Sequence, residues 1–371
     1  MQLTKELKTD KCALLDKICL YNFTIVSIEN VECLQEEGIL TVKEKQSKYA
    51  VLRTGEYFSS IHIGKTEYFD NFFFGVWKNE VYGSMEMSVP DDGFHNLNCL
   101  TAEQYIQRIG HASCFLWETY GIIVDYSNVK YKSMEINRTI VLDYAFQAYH
   151  RPIALLMYLL PSKLRLMEAD FSEPDIHPAR VNNYDRRIST YTKSSGKKGM
   201  SVKVYDKKSH LSLCFGITTH QNYLRYEITL KSSTKIKKAF DSNDVYKITD
   251  KDLNRYFEHF IFKNVVAPYY RHCVKRDIAL RKILKEYYEP CSKTWTRDTL
   301  GAIREIELKN GVPLMLEIDE LKTQIQYLKI KTKQQRYALK ERFDQLCKDQ
   351  NSVFKQDDGK KCSEIYNKLL I

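Results

Sequence analysis

The chain has 371 residues, 43% of them hydrophobic, which is enough to bury a substantial core in two or three structural units. Its formal net charge of +10 favours a polyanionic partner, and its 26 tyrosines exclude a disordered basic tail. No run of about 18 apolar residues is present, which excludes a membrane span. The ten cysteines have no CxxC spacing and the first residues lack the apolar core of a secretory signal, so we expect reduced thiols and a cytoplasmic protein.

Short β-like runs dominate residues 20–90, for example NFFFGVW and VYGSMEMSV, and they are separated by glycines and charged turns. The segment PDDGFHN at 90–96 is a turn and marks a boundary. The sequence therefore predicts a β-rich amino-terminal region over 1–95. Two arrangements stay open, because this region would be either a second half of the central sheet or a separate module.

Helices and strands alternate from 97 to 240, and helical patterns dominate after 241. We expect a helix capped by Thr101, a strand over 132–142, an apolar helix over 145–161 that Pro152 kinks or breaks, and a helix opening near Thr249. A longer helix is predicted over 317–348. The predicted regions are thus a core over 96–245 and a helical carboxy-terminal region over 246–371. The fold class is α+β: an antiparallel central sheet carries a site on its open face, and helices cover the other face.

Two runs, SVKVYDKKSHL and NYLRYEITLK, indicate neighbouring strands within 201–231. Side chains alternate across a strand, so the apolar residues of each run share one face and the polar residues share the other. A tyrosine flanked by lysines, beside a strand with Arg and Glu, is suited to attack on a phosphodiester. The polar faces of the two strands carry Lys203, Tyr205, Lys207, Arg225 and Glu227.

A third strand, KSMEINRTIV, presents Glu135, Asn137 and Thr139 on one polar face. Beside the other two strands, it would bring Glu135 and Asn137 to Tyr205, Lys207 and Glu227. Carboxylate and amide oxygens suit Mg²⁺ or Mn²⁺, which would polarise the scissile phosphate. A phenol has an ordinary pKa near 10, so Lys207 or the metal would have to assist its attack as a phenolate. The product would be a 5′-phosphotyrosyl link and a free 3′-hydroxyl.

These segments resemble a known family. VKVYDKK followed by LRYEITLK is similar to the tyrosine strand and the adjacent strand of filamentous-phage gene II/X-type replication initiators, and MEINRTIVLDY at 134–144 matches the strand before their first crossover helix. The resemblance covers about 95–260. It implies a metal-dependent tyrosine nickase and ligase that initiates rolling-circle replication. In this family Tyr205 would be the nucleophile, Glu227 the carboxylate on the next strand, and Glu135 the acidic residue on the strand before the first crossover helix. It also implies the element's own origin as substrate, single-stranded at the nick, and a host helicase that unwinds the duplex.

The sequence departs from many rolling-circle initiators because it has no His-hydrophobic-His metal motif. IHIGK and PDIHPAR supply one imidazole each, so we leave histidine out of the predicted metal site. The run LRLMEADFS at 164–172 competes with Glu135 for the metal role, since Glu168 and Asp170 would share one face of a strand.

Basic residues surround the predicted site and would contact the DNA backbone. Arg225 would either bind phosphate or pair with Glu227, and both interpretations stay open. Two other functions compete with the nickase: a non-catalytic origin- or operator-binding protein, and a relaxase or transposase of a mobile element. The predicted DNA-binding residues are Arg225, Lys203, Lys197, Lys198 and Lys231.

Overall fold

The computed structural model describes most of the predicted core and parts of the two flanking regions. The described residues are 12–29, 31–41, 50–51, 57–58, 60–77, 80–90, 99–161, 164–166, 190–197, 199–286, several positions within 332–341, and 357–370. The turn at 91–96, the residues Glu168, Asp170 and Lys198, and most of the helix predicted over 317–348 lie outside the described residues.

The strands begin near the amino terminus and alternate with helices after residue 100. They are β1 (Leu14–Tyr21), β2 (Thr24–Ile28), β3 (Leu40–Thr41), β4 (Ala50–Val51), β5 (Tyr57–Phe58), β6 (Ser60–Ile63), β7 (Asn71–Trp77), β8 (Glu80–Ser88), β9 (Ile122–Asp125), β10 (Lys130–Leu142), β11 (Arg165–Leu166), β12 (Thr190–Ser194), β13 (Met200–Asp206) and β14 (Asn222–Leu230).

The helices of the described residues are α1 (Val31–Glu36), α2 (Ala102–Tyr120), α3 (His150–Leu159), α4 (Lys207–Phe215), α5 (Ser233–Phe240), α6 (Asp250–Ile261), α7 (Ala267–Glu286) and α8 (Asp358–Leu370). A 3₁₀ turn precedes α3 and a π-helical turn joins α6 to α7. None of these helices has both the length and the apolar character that crossing a membrane requires. The cysteines of the described residues are free thiols.

One ten-stranded sheet runs through the molecule in the order β11-β12-β13-β14-β10-β1-β8-β7-β6-β3, and its neighbours pair antiparallel. Strands of the amino-terminal region and of the predicted core therefore share this sheet, which decides between the two arrangements left open above. The expected fold class, an α+β protein with an antiparallel central sheet and a helical carboxy-terminal region, is confirmed. The region boundaries at 95 and 245 stay a prediction.

The sheet has an apolar face and a polar face in its central strands, because apolar and polar residues alternate along β10 and β14. Ile136 lies opposite Ile228, and both are fully buried. On this face, Phe257 of α6 packs edge-on against Tyr226. Helix packing on the apolar face leaves the opposite face of β10, β14 and β13 for polar side chains.

Local signals set several helix ends as expected. Thr101 caps α2 and Thr249 caps α6, and each side chain accepts a hydrogen bond from a backbone N–H in the first turn. The segment 145–161 breaks into a 3₁₀ turn and α3, so that Pro152 lies in the first turn of α3, where its missing N–H costs no helical hydrogen bond.

The sequence-based assignment of Lys207 to the tyrosine strand is wrong. Strand β13 ends at Asp206, whose side chain accepts a hydrogen bond from the backbone N–H of Ser209 and caps α4. Lys207 is therefore the first residue of a helix. Aspartate is a preferred N-cap residue, and here the cap overrides the alternation of the preceding strand.

Helix α8 docks on the core through a buried arginine on the apolar face of the sheet. Arg138 donates from one guanidinium nitrogen to the backbone carbonyl of Leu369 (2.5 Å) and from the other to Oδ1 of Asn254 (3.2 Å). Its guanidinium also lies 5.1 Å from the ring centroid of Phe257. One side chain of β10 thus connects α6 and α8 to the sheet.

We predict that Arg138→Leu lowers the free energy of unfolding by about 3 kcal/mol, because it leaves the Leu369 carbonyl without its buried donor and removes one of the two donors to Oδ1 of Asn254, which also accepts from the backbone N–H of Ala13. Urea unfolding of the full chain measures this change. Arg255→Ala is the matched control, since Arg255 pairs with Asp252 at an exposed position, and exposed pairs contribute little. Equal destabilisation by the two substitutions would contradict the prediction.

Candidate active site

The registers of three adjacent strands bring the predicted site residues onto one polar face. Asn137 of β10 lies opposite Glu227 of β14, and Glu227 lies opposite Lys203 of β13. Likewise, Arg225 of β14 lies opposite Thr139 of β10 on one side and opposite Tyr205 of β13 on the other. Glu135 lies opposite Thr229, whose hydroxyl donates to it over 3.0 Å. The gathering of these residues, expected from strand alternation, is therefore observed, and their catalytic roles stay predictions.

Tyr205 is held by one hydrogen bond and two cations. Its hydroxyl donates to Oε1 of Glu227 over 2.8 Å. The Nζ atoms of Lys203 and Lys207 lie 4.5 Å and 5.9 Å from its ring centroid. Burial raises the pKa of Tyr205 far above its ordinary value, and Glu227 raises it further, while Arg225 lowers it. The phenol is accordingly neutral, and it would need a base in order to act as a nucleophile.

The expectation of an open polar face is wrong at Tyr205, which is only 5% exposed. Helix α4 lies against β14, and Leu211 of α4 forms a small apolar cluster with Ile217 and Tyr223 at the end of this face. Strand alternation does not indicate this cover, because the alternating pattern continues through Lys207 into the residues that form α4.

The carboxyl groups of Glu227 and Glu135 lie in surroundings that disfavour a negative charge. Burial raises the pKa of Glu227, and the nearby carboxyl groups of Glu135 and Asp16 raise it further. Burial, and after it the nearby carboxyl group of Asp16, likewise raise the pKa of Glu135. Removing a charged group from water favours its neutral form, and like charges add to that effect. Glu227 is therefore a stronger proton acceptor than an exposed glutamate.

Asp16 is a site residue that sequence reasoning missed. The guanidinium of Arg225, which is fully buried, lies 3.3 Å from Oδ2 of Asp16 and donates through Nε to the hydroxyl of Thr139 over 2.9 Å. Leu14 of β1 lies opposite Asn137, so alternation places Asp16, two residues further on, on the same polar face, and a β-bulge follows before Ile18 pairs with Met134. The only sequence signal is a pair of adjacent charged residues, Asp16 and Lys17, inside the otherwise apolar run LLDKICLY.

Helix α4 supplies two buried nitrogen atoms beside Tyr205. Lys207 is fully buried, and its Nζ has no hydrogen-bond partner within the described part of the chain. Burial and then Arg225 lower the pKa of Lys207 to about 8. His210, another residue that sequence reasoning missed, contacts the Tyr205 ring edge-on at a centroid distance of 5.7 Å. Its Nδ1 also has no partner among the described residues.

The predicted metal ligands provide oxygen atoms on neighbouring strands. Asn137 donates through Nδ2 to Sγ of Cys99 (3.1 Å), and its Oδ1 has no partner among the described residues. Glu135 and Glu227 each have one oxygen hydrogen-bonded to a hydroxyl. No cluster of three or more His, Cys, Asp or Glu side chains suited to a metal occurs in the described residues. The donor set of two carboxylates and an amide oxygen fits Mg²⁺ or Mn²⁺, which also keep water ligands.

The predicted DNA-binding residues fall into different environments. Lys203 is half-buried above the Tyr205 ring, and Arg225 is buried in its pair with Asp16. Lys231 donates to the hydroxyl of Ser194 over 3.0 Å, and Lys197 is exposed in the turn between β12 and β13. Lys203 is thus the only one of these described residues whose charge both contacts the tyrosine ring and is partly open to solvent.

We predict that Asp16→Asn lowers the free energy of unfolding by about 3 kcal/mol, because it leaves Arg225 as a buried charge without its counter-ion. Lys17→Met, at the adjacent position, is the control. The exposed Lys17–Glu86 pair spans 3.1 Å, and its loss should cost less than about 1 kcal/mol. Chemical unfolding of the two variants compares these costs, and an Asp16→Asn protein as stable as the Lys17→Met protein would refute the assignment.

A scan against protein-family models finds no family that matches this chain. A search of the curated proteins likewise finds no match. Among solved structures, the chain is similar to a rolling circle replication initiator protein from Geobacillus stearothermophilus, with a TM-score of 0.33 and 12% identity over 68% of this chain and 85% of that chain. A similarity of this size carries no argument about function, which has to be inferred from the site itself.

Proposed function

We propose that this chain is a tyrosine DNA nickase and strand transferase that initiates rolling-circle replication at the origin of a phage, plasmid or integrated element. The hydrogen bond from Tyr205 to Glu227 carries the proposal, because it pairs a nucleophile with a proton acceptor whose pKa is raised. A base with a raised pKa is better matched to a phenol, which lowers the cost of moving the proton.

In the proposed reaction, Oη of Tyr205 attacks the phosphorus of a phosphodiester while its proton passes to Glu227. A bond forms between the phenolic oxygen and phosphorus, and the bond from phosphorus to the 3′-oxygen breaks. The departing 3′-oxygen takes up a proton from water and becomes a free hydroxyl, and the 5′ end stays on the tyrosine. Attack by a 3′-hydroxyl on this link reverses the step and rejoins the strand.

The cations of the site would compensate the negative charge of the phosphate. Lys203 and Lys207 lie beside the Tyr205 ring, and Lys207 is charged below about pH 8. Within a buried site, such charges act more strongly than they would in water. Arg225 supports this arrangement through its pair with Asp16.

Glu135, Glu227 and Asn137 would hold the proposed Mg²⁺ or Mn²⁺. The unpartnered Oδ1 of Asn137 and the raised pKa of Glu135 support this assignment, since a cation would give the amide oxygen a partner and favour the charged form of Glu135. When bound, the ion would polarise the scissile phosphate.

The proposed partner is DNA that carries the element's own origin and is single-stranded at the nick. The net charge of +10 supports a polyanionic partner, and the exposed Lys197 and the half-buried Lys203 and Lys231 lie in or next to the strands of the site. A host helicase would unwind the duplex after nicking. A relaxase or transposase would use the same chemistry on a different DNA end.

A second candidate, a non-catalytic origin- or operator-binding protein, is favoured by the burial of Tyr205. A nucleophile has to reach its phosphate, and a tyrosine that only packs does not. The two candidates differ in one outcome, which is whether Tyr205 forms a covalent link to DNA.

We predict that Tyr205→Phe abolishes covalent attachment to DNA but leaves DNA affinity nearly unchanged, because only the attacking hydroxyl is lost. The substrates are single-stranded oligonucleotides that tile the gene for this chain and its flanks, incubated with Mg²⁺, Mn²⁺ or a chelator. Adducts that resist SDS are detected by gel shift, and their 5′ ends are mapped.

Tyr226→Phe is the matched control for that assay. Tyr226 is the neighbour of Arg225 on the opposite face of β14, and its buried hydroxyl has no partner within the described residues. The control should form adducts at the wild-type rate. Equal adduct formation by Tyr205→Phe would place the nucleophile elsewhere, and DNA binding without any adduct in the wild type would favour the non-catalytic protein.

We predict a bell-shaped pH dependence for nicking. Activity should fall as pH decreases through the raised pKa of Glu227, because the protonated carboxyl cannot accept the tyrosine proton. It should also fall as pH rises through about 8, where Lys207 loses its charge. Initial nicking rates measured from pH 5 to 10 test both limbs.

Lys207→Arg distinguishes the origin of the alkaline limb, because a guanidinium keeps its charge over this range. The decline near pH 8 should disappear in this variant, whatever its maximal rate. Lys208→Arg serves as control, since Lys208 donates to Asn222 rather than lying at the tyrosine ring, and it should keep the wild-type profile. An alkaline limb that is unchanged in Lys207→Arg would contradict the role given to Lys207.

A further inference from the structure

Helix α4 runs from the buried site to the surface of the protein. Its first residue, Lys207, is fully buried beside Tyr205, and its last residue, Phe215, is 42% exposed. Leu213 near the same end is 82% exposed. Phe215 thus presents an exposed aromatic ring beside a charged site, whereas Leu213, two residues away, lies on a different face of the helix.

A continuous series of ring contacts connects this surface to the proposed nucleophile. His210 contacts Tyr205 at a centroid distance of 5.7 Å and Phe215 at 5.7 Å, and both contacts are edge-on, with interplanar angles of 63°. The exposed ring of Phe215 is therefore two ring contacts away from the tyrosine.

The electrostatics along this series suit a nucleotide. Burial, and then Lys207 and Lys203, lower the pKa of His210 to about 4, so its imidazole is neutral near pH 7. A neutral ring packs against an aromatic base without placing another charge beside the lysines. Lys203, Lys207 and the half-buried Lys208 supply cations for a phosphate backbone at the same end of the sheet. Proteins that bind single strands combine cations with aromatic rings on which bases stack.

We propose that Phe215, supported by His210, is the stacking platform for an unpaired nucleobase next to the phosphate that Tyr205 attacks. This inference rests on the proposed function, because it places a base of the nicked strand beside the nucleophile. The charges of Lys203, Lys207 and Lys208 favour a nucleic acid over a second copy of this positively charged chain. The platform is sequence-tolerant, since every base has an aromatic face.

The test uses the full chain with Tyr205→Phe, which prevents covalent chemistry during binding. The probe is a single-stranded oligonucleotide of about 20 nucleotides, longer than a typical single-strand site, with 2-aminopurine placed at successive positions. Anisotropy gives the affinity, and quenching of 2-aminopurine reports stacking. Phe215→Leu should weaken binding about 10-fold and remove the quenching at one position. Phe215→Trp should retain both, because it keeps an aromatic face.

Leu213→Ala is the control, since Leu213 is the more exposed apolar residue of the same helix, and it should bind like the parent. Equal binding and quenching in Phe215→Leu and the parent would overturn the stacking platform. So would an equal loss in Leu213→Ala, which would indicate a general apolar contact, or a change of oligomeric state as the only effect of Phe215→Leu.

The adduct assay on chains with an intact Tyr205 separates this inference from the proposed function. If the wild type forms adducts and Phe215→Leu neither weakens binding nor changes quenching, the platform falls and the nickase stands. If Phe215→Leu loses stacking and the wild type forms no adduct, Phe215 binds single strands in a protein that does not nick. Failure of every variant to bind the oligonucleotide would overturn both.

Discussion

The buried ion pair between Arg225 and Asp16 is the constraint on which the polar face of the sheet depends. Arg225 is central in β14, and Asp16 lies two strands away in β1, so their 3.3 Å contact spans β10. A guanidinium in the interior is costly unless it is paired and hydrogen-bonded, and Asp16 and Thr139 provide both conditions. The pair ties the amino-terminal strands to those that carry the proposed nucleophile.

Burial gives the neighbouring groups different properties from those they would have in water. It raises the pKa values of Tyr205 and Glu227 and lowers that of Lys207, so each group is displaced toward its neutral form. The phenol of Tyr205 is thereby hydrogen-bonded to the carboxyl group of Glu227, and the raised pKa of this carboxyl group suits it to accept the phenolic proton. Because these groups are buried, the proposed chemistry requires that a DNA strand reach them. This requirement connects the proposed chemistry to the exposed end of α4.

Buried atoms without partners point to where a ligand would be held. Within the described residues these include Nζ of Lys207, Nδ1 of His210 and Oδ1 of Asn137. Buried polar atoms ordinarily have hydrogen-bond partners. Lys207 and His210 contact the ring of Tyr205, whereas Asn137 lies on β10 opposite Glu227. A phosphate near the nitrogen atoms and a cation near the amide oxygen would satisfy them.

The sequence by itself determined the faces of β10, β13 and β14, because strand alternation is local and has a period of two. It thereby predicted that Glu135, Asn137, Tyr205, Arg225 and Glu227 lie on one surface. Only the tertiary structure decided that Asp16 belongs to this surface, since the register of β1 against β10 and an ion pair across two strands place it there. Tertiary packing also decided that the face is buried, whereas the start of α4 at Lys207 and the contact of His210 with Tyr205 follow from the cap at Asp206. These features depend on contacts between segments far apart in the chain or on a cap that competes with alternation, and neither follows from periodicity.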